Sequence, residues 1–277
     1  MIVYTMPGFL SKKKINIIFL TYVREHPEQL KYEDRISFVI TGAPNNCSWK
    51  GTSYDWFIEN GIYEQIKKLY ELYTVDLSCV VRWDFSNLLL EKDFYYDTVA
   101  DNLLSLSNNG STQLLISGPN MHKYFRENFP NYIYLYYSDL TINENLIIDK
   151  NTFLIRNNYN IKETNGFSKD NTEIILHLPC SQYCTLSQWG QCSMQNQMNI
   201  YNFSKFSPFH SCSYMNVDIH KTDNLMQDYY NNGYRSFQPF EWTYDHKMLI
   251  NYVNDLIKPE YQQEALQYLL ISLESEK

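Results

Sequence analysis

Residues 177–192 read HLPCSQYCTLSQWGQC and place Cys180, Cys184 and Cys192 within thirteen residues of a 277-residue chain that has six cysteines. Cys212 follows after nineteen intervening residues. The pattern C-x3-C-x7-C-x19-C supplies enough thiolates for a tetrahedral zinc or a 4Fe–4S cluster, and spacing alone leaves the two open. It is neither the paired C-x2-C of a zinc ribbon nor a bacterial ferredoxin run. The plain alternative is four unligated thiols or one disulfide, and a reducing compartment argues against the disulfide. Burying a thiolate without counter-charge is costly, and a metal ion supplies that charge while tying down a long loop. His210 lies two residues before Cys212 and could stand in for a cysteine if the metal is zinc. Cys47 and Cys79 are weaker candidates, Cys79 because it alternates with apolar neighbours.

Other catalytic constellations are thin. His177 stands between Leu176 and Leu178 and therefore faces away from both, which suits a hydrogen-bonded core histidine or a part in the site. Asp93, Asp97 and Asp101 fall four apart, as on a solvated helix face. GxGxxG, Walker, HExxH and GxSxG motifs are all missing from the sequence, which removes most support from nucleotide-cofactor and serine-hydrolase readings.

Positioning such residues requires a scaffold, and the pattern of apolar runs points to one. Strands are expected at 15–20 (INIIFL), 35–42, 75–83, 112–118, 131–138, 152–158, 173–179 and 234–240. Several are nearly continuous in apolar character, as in strands buried on both faces. Helical spacing fills the intervals, most clearly at 54–73 and 95–109, in the shorter 118–130 closed by Pro130, and in C-terminal helices within 243–275. Alternating strands and helices with about eight strands predict an α/β fold, a (β/α)8 TIM-like barrel over residues 1–277, with a doubly wound sheet as the competing topology. In such a barrel the working face lies beyond the carboxyl ends of the strands. Arg82 and Asp84, Asn120, Ser138 with Asp139, Arg156, His177 and Glu241 would gather there with Cys180.

Composition narrows the partners. The chain carries 25 Tyr and 15 Phe, while alanine occurs only at Ala43, Ala100 and Ala265, a usage typical of an AT-rich genome. Net charge is −8 and the basic residues are scattered apart from Lys12 to Lys14, so no extended surface for non-specific nucleic-acid binding is expected. Lys12 to Lys14 followed by INIIFLTYV has the charged and apolar regions of a signal peptide, but no small-residue cleavage site follows and the run is too short to span a membrane. A buried first strand and a cytoplasmic protein without membrane attachment are the expectation.

One stretch resembles a known family. EIILHLPCSQYC, then LMQDYYNNGYRSFQPFEW, and upstream GSTQLLISGPNMHKYFRENFPNYIYLYYSDL are similar to motifs of the collagenase-like U-family peptidases, over about residues 110–257. The resemblance implies a barrel with altered strand arrangement and a 4Fe–4S cluster on Cys180, Cys184, Cys192 and Cys212. It further implies oxygen-independent hydroxylation of a ubiquinone precursor or of an RNA base rather than peptide cleavage. One departure stands out: where the family motif has a lysine and a closing Gly-Arg, this chain has Gln238 and Glu241-Trp242.

Two function classes follow. The first is an iron–sulfur or metal-dependent enzyme modifying a nucleobase or aromatic small molecule, with Arg82, Asp84, Arg156, His177 and Glu241 as candidate catalytic residues. The second is a non-catalytic scaffold, such as a phage or accessory component, that keeps the barrel to bind a protein partner and holds zinc or no metal.

Overall fold

The apolar run 15–20, expected as the first strand, is helical. In the computed structural model α1 spans Lys13–Glu25, and the first strand, β1, is the earlier Ile2–Met6. The structure describes residues 1–7, 13–42, 79–85, 113–116, 119–128, 133–137, 152–157, 168–177, 225–239 and 245–275. The exchange has a physical cause. Ile15, Ile18, Phe19, Tyr22 and Val23 recur at three- and four-residue intervals and are all buried, so over thirteen residues the run has the period of a helix, whereas six residues of it read as a strand. Ile2, Tyr4 and Met6 show the two-residue period instead and are buried on one face.

The remaining strands are β2 Ile36–Gly42, β3 Cys79–Phe85, β4 Gln113–Ile116 and β5 Ile133–Tyr137. They continue with β6 Thr152–Asn157, β7 Thr172–Leu176 and β8 Ser236–Pro239. All pair in parallel in chain order, and β1 pairs with β8 through Val3 with Ser236 and Tyr4 with Phe237, which closes the ring. Closure leaves no exposed strand edge among these eight. The described helices are α2 Pro119–Asn128 between β4 and β5, α3 Leu225–Asn231 before β8, and α4 Asp245–Leu256 and α5 Gln262–Ser275 after it. Helical segments expected at 54–73 and 95–109 lie outside the described residues.

Strand alternation divides the interior into two layers. Ile2, Tyr4, Met6, Ile36, Phe38, Ile40, Leu114, Ile174, Leu176 and Phe237 share one apolar core with the helices. The opposite rows face the lumen and are mostly polar where described: Thr5, Ser37, Gln113, Glu173, Ser236 and Gln238 are buried there beside Val39, Leu135 and Ile175.

Helices α1, α4 and α5 pack on one another. Phe19 meets Tyr252 with ring centroids 5.0 Å apart, and Tyr22 meets Tyr268 at 5.3 Å. Backbone bonds fasten the segment after α1 to the end of α4: Lys31 N–H donates to the Leu256 carbonyl at 2.7 Å, and Lys258 N–H to that of Gln29 at 2.9 Å.

Helix α3 ends in a left-handed turn that delivers the chain to β8. Gly233 has φ +94°; its N–H donates to the Tyr230 carbonyl and the next N–H, of Tyr234, to that of Tyr229, the paired bonds of a glycine C-cap. A Cβ built at Gly233 would meet Lys169 Cδ at an ordinary 3.6 Å, so the backbone conformation alone sets the cost of substitution. Gly233→Ala should destabilise the fold by about 1–2 kcal/mol in urea unfolding, and Gly233→Asn by less. Equal losses for both would contradict this origin.

Candidate functional site

Asp255 is a buried carboxylate with side-chain partners from two other parts of the chain. It sits in the last turn of α4 with its side chain 3% exposed. Its Oδ2 accepts a 2.7 Å hydrogen bond from the Tyr4 hydroxyl of β1, and its Oδ1 meets His177 Nε2 at 2.8 Å. An ionised carboxylate only accepts, so Nε2 carries the proton and donates. Met248, Tyr252 and Asp255 recur along one side of α4, and all three are buried, which places an acid on the apolar face of an amphipathic helix.

His177 follows β7 with φ +57°, the one positive φ outside glycine among the described residues. Regular alternation would put it in the lumen row with Glu173 and Ile175. The left-handed backbone breaks that alternation, and the ring meets α4 on the helix-facing side instead. Holding histidine in this conformation costs energy, which the surrounding contacts must offset. Its Nδ1 is buried and has no hydrogen-bond partner among the described residues. Burial pushes the imidazole pKa down, while the charge of Asp255 and its hydrogen bond push it up by more, leaving it above the ordinary histidine value. The Tyr4 phenol is driven well above its usual range, chiefly by burial and then by the Asp255 charge, so it remains a neutral donor.

A second carboxylate lies in the lumen. Glu173 of β7 is fully buried, and its Oε2 accepts from Ser236 Oγ of β8 at 3.0 Å and from Thr5 Oγ1 of β1 at 3.2 Å. These bonds join three strands across the ring closure. A cavity of about 720 Å3 opens elsewhere, between the end of α1 and the start of β2, with Arg24, Tyr32, Glu33 and Arg35 among its lining residues.

The expected site residues are distributed as follows. Arg82 of β3 is in register with Thr41 and Gln113, and Asp84 with Leu115. Arg156 of β6 is in register with Ile174. Asn120 is the second residue of α2. Cys79 opens β3. Glu241, His210, Ser138, Asp139, Cys47 and the four cysteines 180, 184, 192 and 212 lie outside the described residues. No group of three or more metal-ligating side chains gathers among the described residues, and no described helix is long and apolar enough to cross a membrane. Asp255, Tyr4 and Glu173 were not anticipated. The available signals were an acid on the buried face of α4 and a glutamate inside an otherwise apolar strand.

No family model, curated protein or solved structure matches the chain.

Removing the Asp255 carboxylate strands a buried imidazole and a buried phenol together. Asp255→Ala should cost about 3–5 kcal/mol in urea unfolding, against about 1–3 kcal/mol for Tyr4→Phe, which leaves the His177 bond in place. The histidine also sets a pH dependence. A pKa raised by folding adds stability that is complete below the unfolded value of about 6.5 and is lost as pH rises through the folded value. The wild-type chain should therefore lose stability relative to His177→Asn on moving from about pH 6 to about pH 9. Parallel pH profiles for the two proteins would refute the coupling.

Proposed function

We propose that the chain is a (β/α)8 TIM-class barrel protein, related to the U-family peptidase-like proteins, that holds a thiolate-ligated centre on Cys180, Cys184, Cys192 and Cys212. The centre is a 4Fe–4S cluster, with zinc as the alternative, and the activity is modification of a nucleobase or aromatic small molecule in the cytoplasm, where thiols stay reduced. One observation carries the reading: β7 ends at Leu176 in a closed parallel ring, and C-x3-C-x7-C-x19-C starts four residues later. In parallel barrels the groups that do chemistry collect after the carboxyl ends of strands. The buried, unpartnered Nδ1 of His177 at the head of that segment suits a site with a further ligand to receive.

An iron–sulfur cluster, when bound, supplies one-electron transfer. The chain's own residues would do the rest. Arg82 and Arg156 are the candidate anchors for polar edges of the substrate, through the rigid donor fork of the guanidinium. Asp84 and Glu241 are the candidate acceptors for substrate N–H or O–H groups. His177 is fixed in one orientation by Asp255.

A second reading, an accessory scaffold holding zinc or no metal and binding a protein partner, draws on Gln238. It stands where the resembling motif has lysine, and it is buried in the lumen row beside Ile175, so this position offers no cation to an anionic substrate.

Anaerobic purification followed by metal and acid-labile sulfide analysis separates the two. The enzyme reading predicts about four irons and four sulfides per chain with broad visible absorption. Cys184→Ser should lose both, and Cys79→Ser should keep both. One zinc and no sulfide would favour the scaffold, and a wild-type chain that takes up neither metal would overturn the thiolate centre.

A further inference from the structure

Helix α5 has the composition of a buried helix and the position of an outer one. Seven of its fourteen residues are apolar, yet only Ala265 and Leu269 of these are fully buried. A helix with apolar residues on all sides ordinarily lies in a core or carries a partner. Four large apolar side chains are exposed among the described residues, and two of them, Tyr268 at 44% and Ile271 at 58%, stand on α5. Glu264, Tyr268, Ile271 and Ser275 follow one another at i, i+4, i+7 and i+11, and all four are exposed, so they form one seam along the helix. The Tyr268 ring packs on that of Tyr22 at 5.3 Å and lies 6.5 Å from that of His26. The seam therefore contains an aromatic ring already held by α1, which lowers the ordering cost of docking on it.

Charge selects the partner. Helix α5 carries Glu264 and Glu274 and neither lysine nor arginine. Glu25 and Glu28, both exposed, add two carboxylates beside it, and Glu28 lies 3.7 Å from the His26 ring that Tyr268 meets. The cations nearby are engaged: Arg24 with Glu25 at 3.9 Å, Lys14 with the Leu273 carbonyl at 2.7 Å and Lys258 with the Glu28 carbonyl at 2.7 Å. We infer that the seam of Glu264, Tyr268 and Ile271 is a docking site for a basic amphipathic helix of another protein. Apolar residues of that helix, at the same spacing, close over Tyr268 and Ile271, while its lysines or arginines meet Glu264 and Glu28. The proposal uses no residue of the thiolate centre and stands under either reading of the function.

The test titrates the full-length chain by calorimetry with a synthetic helix of leucine and lysine in heptad spacing, and with the same helix carrying glutamate for every lysine. The lysine helix should bind, more weakly as NaCl rises from about 0.05 M to about 0.5 M, and the glutamate helix should not. Ile271→Ser should weaken binding of the lysine helix about tenfold, whereas Ile250→Ser, at the exposed isoleucine of α4, should leave it unchanged. Glu264→Lys should weaken binding of the lysine helix and permit binding of the glutamate helix. Ile271 and Glu264 are both exposed, so neither change touches the core. A wild-type chain that binds neither helix, or binding that Ile271→Ser and Glu264→Lys leave unaltered, would overturn the inference. A wild-type chain that sediments as a dimer, and that Ile271→Ser renders monomeric, would assign the seam to a second copy and overturn the basic partner.

Discussion

One buried carboxylate ties the described structure together. Asp255 brings its charge from α4 to within hydrogen-bond distance of β1 and of the residue that follows β7, and its field adds to the larger effect of burial in raising the Tyr32 phenol and opposes the burial-driven lowering of the Lys31 ammonium. An isolated carboxylate in such a place would cost several kcal/mol, and the hydrogen bonds are what make it tolerable. That demand runs in both directions. Tyr4 and His177 must be where they are for the acid to be buried, and the acid must be there for a buried phenol and imidazole to be satisfied. The left-handed backbone at His177 is the visible consequence, since only by leaving the lumen row can the ring reach α4.

The lumen repeats the same logic with a different cast. Glu173 is fully buried and takes hydroxyl donors from β1 and β8, and these strands make the pairing that closes the ring. Barrel lumens are ordinarily filled with branched apolar side chains; here the described part is mostly polar, with Ser37, Gln113 and Gln238 buried alongside. The two carboxylates divide the work: Glu173 joins the strands around the closure from inside, and Asp255 joins strand ends to the helical layer from outside. Both depend on β7, from which the cysteine-rich segment departs.

How far this was legible depends on the range of the interaction. The segments 35–42, 152–158 and 234–240 contain β2, β6 and β8 because short β-branched and aromatic runs between polar residues have few other uses. INIIFL misled because six apolar residues fit either period, and only Tyr22 and Val23, beyond the run, reveal the helical one. IVYTM at the start was too short and too mixed to be read as a strand, although its alternation is regular. His177 was legible as a residue to watch, but alternation had it facing away from Leu176, whereas the left-handed backbone turns it to the helix-facing side that Leu176 shares; its partner is 78 positions away and Tyr4 lies 251 positions from Asp255. Nothing in local pattern reports such distances. An acid near the end of an amphipathic helix ordinarily reads as solvated, and Asp255 departs from that only because it shares the face of Met248 and Tyr252. Likewise the register that pairs Arg82 with Thr41 and Gln113 is not written in β3 itself and becomes fixed only when the neighbouring strands are known.

The tautomer and exchange behaviour of the His177 ring test the central claim most directly. In a long-range nitrogen–proton correlation spectrum of the isolated chain, taken at alkaline pH where the ring is neutral, the account predicts a proton on Nε2 that exchanges slowly with solvent, an unprotonated Nδ1, and loss of that protected proton in Asp255→Asn. A ring protonated on Nδ1, or one exchanging as freely as a surface histidine, would contradict it.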